Sequence, residues 1–304
     1  MGIVVVGAIF VDIKGYPLAP YIPAGRNMGR VETVHGGVCR NVAEDIANIG
    51  IPTTFISLVD NTGTGRDVKD RLEQHGCCTR YIQSVEGGLG TWLAVFDNSG
   101  DVVASISWRP DMAPVLDILE QHGDEIISQA DSVVVEIDTD PAIVHKILTL
   151  ADTYKKEVFA VVSNMSIALE RRELMTRTGC VVCNQQEAGI LFSEDYEALS
   201  AEELAPIMAQ RRAAAGFHRL VVTMGGAGSV WADADGSYGI CPAQRVDVKD
   251  TTGAGDAFFS GVAAGLTRGK GLGEACVIGT RMAAAVIATT ESVCPVYKRE
   301  EFDL

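Results

Sequence analysis

Short β-branched apolar runs alternate with stretches of helical periodicity along most of this chain, and that rhythm constrains the fold more than any other feature. The runs Ile3-Val4-Val5-Val6, 54–58, Ser132–Glu136, 158–162, 181–183 and Leu220–Thr223 are too brief for stable helices and carry few polar residues. Between them, 42–50 places Val42, Ala43, Ile46 and Ile49 on one helical face, with Gly50 as a stop and Pro52 beyond it. Segments 65–74, 142–154 and Ala201–Ala215 read as further helices. Near-continuous apolar strands are buried on both faces, and strands that alternate with helices pair in parallel. The expected architecture is therefore α/β: three layers, with a mostly parallel sheet between two sets of helices. No repeat, low-complexity segment or linker divides residues 1–304, so one domain is expected.

Two segments depart from the rhythm. Residues 90–106 hold Trp92-Leu93-Ala94-Val95-Phe96, the turn Asp97-Asn98-Ser99-Gly100, and Val102-Val103-Ala104-Ser105-Ile106, which predicts a hairpin. Residues 14–34 are rich in Gly and Pro and end in the alternating Arg30-Val31-Glu32-Thr33-Val34. Both are expected to form a small separate sheet, a lid over the carboxyl ends of the main strands, where open α/β sheets bind ligands. An exposed apolar face on such a lid, bearing Trp92 or Val95, would pair two copies into a homodimer.

At 304 residues and 47% apolar content the chain can bury a substantial core. Its net charge of −15 is spread along the sequence without a Lys/Arg-rich stretch, which argues against nucleic acid and anionic membranes as partners. An anionic ligand must then be held by backbone amides, a helix N-terminus or a metal. The apolar start lacks a basic flank, meets Asp12, and has Val6 where a myristoylation signal needs a hydroxyl. With no secretory signal, the eight cysteines are expected to be free and the location cytoplasmic. Cys180-Val-Val-Cys183 has redox or metal spacing but sits in an apolar run without a second pair, and the five histidines are scattered.

The strongest local signal is Asp250-Thr251-Thr252-Gly253-Ala254-Gly255-Asp256-Ala257-Phe258, followed by an apolar helical pattern. Small residues opening a helix let amides approach an anion, which the helix dipole also favours. Asp256 in the first turn fits either a helix-opening acid or a base that takes a proton from a hydroxyl beside that anion. A dehydrogenase is disfavoured, since the first strand is followed by Gly7-Ala8-Ile9 rather than a dinucleotide fingerprint.

The nonamer resembles the C-terminal signature of the ribokinase-like, or phosphofructokinase B, kinases of sugars and nucleosides. That resemblance implies ATP-dependent phosphorylation of a small-molecule alcohol, with Gly253, Ala254 and Gly255 as the anion hole and Asp256 as the base. It extends over nearly the whole chain. Gly36-Gly37-Val38-Cys39-Arg40-Asn41 is similar to the family's sugar-gripping motif, which assigns substrate contacts to Gly36, Gly37, Asn41 and the strand-ending Asp12. Asn184-Gln185-Gln186-Glu187 resembles the motif that places magnesium and phosphates, largely through water. Thr223-Met224-Gly225-Gly226-Ala227-Gly228 resembles the nucleotide loop, with Ala227 where a basic residue is common. Thr252 joins the nucleotide contacts, and Asp250 and Thr252 with the loop 288–294 match a monovalent-cation site, which implies potassium activation. The flanks of Asn41 and Asp12 look most like the pseudouridine-phosphorylating branch, so pseudouridine is the expected acceptor. Free ribose, fructose or another nucleoside is the alternative, and a non-catalytic sensor a remote one.

Overall fold

The computed structural model describes residues 2–302 and 304. Its strands are β1 (Ile3–Val6), β2 (Phe10–Pro17), β3 (Gly29–Gly36), β4 (Thr53–Val59), β5 (Cys77–Ser84), β6 (Gly90–Phe96), β7 (Val102–Trp108), β8 (Ser132–Glu136), β9 (Glu157–Val161), β10 (Val181–Asn184), β11 (Leu220–Thr223), β12 (Ser229–Ala232) and β13 (Tyr238–Cys241). Its α-helices are α1 (Val38–Asn48), α2 (Gly63–Gln74), α3 (Ala113–Gln129), α4 (Pro141–Tyr154), α5 (Met165–Glu170), α6 (Arg172–Met175), α7 (Gln185–Phe192), α8 (Ala201–Ala215), α9 (Ala254–Thr267) and α10 (Leu272–Ile287).

The main sheet runs β13-β12-β11-β10-β9-β8-β1-β4-β5, parallel from β11 across to β5. Two-sided burial follows from the period of the strand. In β1, Val4 and Val6 enter a core with α3, α4 and α8, while Ile3 and Val5 enter another with α1, α9 and α10. The chain leaves β1 toward β4 and β5, then returns to β8 on the other side of β1. That reversal opens a crevice at the carboxyl ends of β1 and β8.

Three strands escape the apolar-run reading. In β5 buried Cys77 and Thr79 alternate with exposed Cys78 and Arg80, as suits an edge strand with one wet face. Strands β12 and β13 are four residues each and add an antiparallel ribbon to the parallel sheet. The nucleotide-loop candidate 225–228 is accordingly the tip of the β11–β12 hairpin, with Met224 N donating to Gly228 O at 2.7 Å.

The second sheet, β3-β2-β6-β7, stands outside the first. Its register assigns the faces. Asp12 pairs with Val34 and Trp92, and Ile13 with Thr33 and Leu93, so Asp12, Lys14 and Trp92 share one face and Ile13, Leu93 and Ile106 the other. Tyr16 stacks on Phe96 at 4.8 Å, and Trp92 meets Phe96 edge-on at 6.4 Å. The exposed apolar face matches the expected one only in part. It carries Val31, Leu93, Ile106 and Trp108, with Ile106 69% exposed; half-buried Val95 shares that face by register, whereas Trp92 faces the other way. Among the described residues no helix is long and apolar enough to cross a membrane.

Candidate active site

Helix α9 begins at Gly253, whose φ of +82° is a left-handed cap that other residues resist. A Cβ there would lie 2.0 Å from the Ser292 carbonyl oxygen, so the turn is also pressed against the C-terminal loop. At Gly255 a Cβ would meet nothing within 4 Å, which leaves the first amides of the helix accessible. Asp256 stands half-buried in the first turn. Burial pushes its carboxyl up to about 7, against the pull of the Asn41 hydrogen bond and the Arg40 charge; Asp12 and Glu187 add to the rise.

Asn41 brings the two glycine motifs together. Gly37 caps α1 with φ +97°, and one turn on Asn41 Nδ2 donates to Asp256 Oδ2 at 2.7 Å. Gly36 lies against the first acidic candidate, where a Cβ would come 2.5 Å from the Asp12 carboxyl. Burial raises Asp12 to about 6, while Lys14 and Arg40 pull it down. The strand β2, the turn into α1 and the first turn of α9 thus place Asp12, Gly36, Gly37, Asn41 and Asp256 around one crevice.

The phosphate-side candidates lie at the ends of β10 and β11, where Asn184 and Thr223 are register partners. Asn184 Oδ1 accepts from Glu187 N, and Glu187 Oε2 accepts from Asn184 N, both at 2.8 Å. This capping box orients Glu187 while leaving Oε1 open, a geometry that fits water-mediated contact with magnesium. Burial raises the Glu187 carboxyl. In the hairpin tip, Gly225 and Gly226 offer open space where a Cβ would stand, as a nucleotide loop requires.

Asp250 Oδ1 accepts from Thr252 N at 2.8 Å, and both residues line a cavity of about 270 Å³ with Lys14, Arg40, Arg71 and Ser292. Glu291 lines the same space, and Arg40 and Arg71 are paired with Glu44 and Glu291. Cys180 and Cys183 are buried free thiols raised by desolvation, so they belong to the core.

Sequence reasoning missed the buried partners of Asn41 in α1, and Glu136 and Arg109 in a second polar cluster. In α1, Arg40, Asn41, Glu44, Asp45 and Asn48 are all buried, a polar stripe at i, i+4, i+8 that was legible as a second helix face needing partners. At the end of β8, Glu136 accepts from Ala8 N at 2.9 Å, and Arg109 pairs with Asp138 at 2.7 Å. These two acids and Arg109 wall a cavity of about 240 Å³ that opens beside Ala8.

The model of the pfkB family carbohydrate kinases matches residues 2–296. The chain belongs to the pfkB family. This pfkB kinase is 34% identical over 292 residues to the guanosine-inosine kinase of Exiguobacterium acetylicum, covering 95% of both chains. It is 27% identical over 263 residues to the pseudouridine kinase of Escherichia coli strain K12, covering 86% of this chain and 82% of the relative. The Arabidopsis thaliana ribokinase, solved with ribose and ATP, has the same fold, with a TM-score of 0.83 at 20% identity over 99% of this chain and 98% of that one. The chain is thus a phosphotransferase acting on a sugar or nucleoside hydroxyl.

Proposed function

We propose that this pfkB kinase transfers the terminal phosphoryl group of ATP to the 5-hydroxyl of a ribonucleoside. Asp256 removes the hydroxyl proton as the oxygen–phosphorus bond forms and ADP departs with the electrons of the broken bond. The amides of Gly253, Ala254 and Gly255 receive charge developing on the phosphoryl oxygens. Asp12, Gly36, Gly37 and Asn41 hold the ribose, and Asn184, Glu187, Thr223, Gly225, Gly226, Gly228 and Thr252 hold the nucleotide. Magnesium, placed through water by Glu187, would neutralise phosphate charge.

The observation that favours a nucleoside over a free sugar is Trp92. It is the direct partner of Asp12 in the β2–β6 register and shares its face, and Phe96, itself stacked on Tyr16, meets the indole edge-on. An aromatic platform beside the ribose-binding acid suits a base and has no counterpart on free ribose. The 34% full-length identity favours guanosine or inosine as the acceptor. A second reading, pseudouridine, rests on the Gly36–Asn41 flank and the 27% relative.

The test is a panel of guanosine, inosine, pseudouridine, uridine, ribose and fructose with MgATP. A nucleoside should exceed ribose and fructose in kcat/KM at least about tenfold, or roughly 1.4 kcal/mol of transition-state binding. Trp92→Ala should raise the nucleoside KM and leave that for ATP unchanged. A free sugar as the best acceptor would overturn the reading.

A further inference from the structure

We propose that Arg40 is a positioning residue for phosphoryl transfer, fixing the Asn41 amide so that it donates to Asp256 and keeps that carboxylate ionised. The inference rests on Asp256 being the base.

Arg40 is 1% exposed and Glu44 fully buried, and a buried charge survives only where it is paired. Arg40 Nη2 lies 2.8 Å from Glu44 Oε2, one helical turn on, and Glu44 Oε1 lies 3.0 Å from Arg71 Nε. Arg71 in turn reaches Glu291 at 3.0 Å. This chain of ion pairs from α1 through α2 to the C-terminal loop holds the guanidinium in one place.

Its other terminal nitrogen is directed at the site. Arg40 Nη1 donates to Asn41 Oδ1 at 2.7 Å, and Ser292 Oγ approaches the same oxygen at 3.4 Å. The amide therefore stands between a group that can only donate and a carboxylate. A guanidinium has no acceptor, so only the carbonyl end of Asn41 can face Arg40. The amide nitrogen must then face Asp256, as it does at 2.7 Å.

If the amide turned over, Oδ1 would meet an Asp256 oxygen, which is tolerable only when Asp256 is protonated. Arg40 opposes that state twice, by holding the amide and by its own charge. The other titratable groups around Asp256 are Asp12 from β2, Glu187 from α7, and Asp45 and Cys39 from α1. The carboxylates all favour the protonated base, and from the α1 side the Asn41 hydrogen bond, and after it the Arg40 charge, offsets them.

The test is the pH profile of kcat/KM for Arg40→Lys and for Arg40→Met combined with Glu44→Gln, which avoids leaving a buried carboxylate unpaired. Folding is checked by circular dichroism and Tm. The acid limb should move up by about half to one pH unit, with about three- to tenfold lower activity near pH 6 and a return to within about threefold of wild type near pH 9. The same Arg40 substitution placed on Asp256→Asn should lower activity no further. A folded variant whose activity drops equally at all pH values, with its acid limb unmoved, would show that Arg40 only packs the helix and would overturn the proposal. If Asp256→Asn itself keeps wild-type turnover, the base assignment fails first, and that outcome is separate from a failure at Arg40.

Discussion

Asn41 Nδ2 donates to Asp256 Oδ2 at 2.7 Å, joining the first turns of two helices that lie 215 residues apart in the chain. This bond holds one carboxylate oxygen, and in the proposed mechanism the other meets the incoming hydroxyl in a fixed direction. Asp256→Asn keeps the shape and removes the base. Turnover should fall by roughly two to four orders of magnitude while ATP binding persists. Steady-state kinetics and titration with a non-hydrolysable ATP analogue check both, and turnover within about threefold of wild type removes Asp256 from the role.

The raised carboxyls set the pH dependence. The base must be ionised, so kcat/KM should decline as pH falls through about 7, where Asp256 takes up its proton. The decline should steepen below about 6, where Asp12 is protonated too. A profile flat from pH 8 down to 5 contradicts this.

The same shift acts on stability with a definite sign. Asp256 ionises near its ordinary carboxylate value when unfolded but only near 7 when folded, so between those values the native state binds more protons. Its contribution therefore falls as pH rises through that window. Asp256→Asn, which cannot ionise, should gain Tm relative to wild type at pH 8, and the gain should shrink toward pH 4. Thermal melts at the two pH values decide it.

Gly253 and Gly255 should separate folding from catalysis. Gly253→Ala meets a left-handed φ and the Ser292 carbonyl, a backbone atom that cannot move aside cheaply. It should lower stability by about 1–3 kcal/mol and activity with it. Gly255→Ala has open space and should melt like wild type, yet its methyl group stands in the proposed anion hole. We expect at least about a tenfold loss of kcat there without a loss of Tm.

The outer face of the small sheet, with Val31, Leu93, Ile106 and Trp108 exposed, is a candidate for pairing two copies. Sedimentation should show a dimer at micromolar concentration, and Ile106→Lys should shift it to monomer without unfolding. A monomeric wild type would leave that face for another purpose.

The alternation of β-branched runs with helical stretches by itself determined the parallel sheet between two helical layers, because a strand apolar on every residue has nowhere else to bury both faces. The Gly253-Ala254-Gly255-Asp256 run likewise marked a helix opening with accessible amides, since only small residues leave that space. Edge strand β5 and the β12–β13 ribbon were hidden, because a half-wet or four-residue strand has no apolar run to read. Tertiary structure alone decided which side of the small sheet faces Asp12, because register, not composition, sets the direction of Trp92. It also made Arg40 a buried neighbour of the site. Glu44 pairs with it within α1, but Arg71 joins Glu44 only once α1 and α2 are packed, and a hydrogen bond from Asn41 to Asp256 has no local signature in a chain that must close 215 residues to make it.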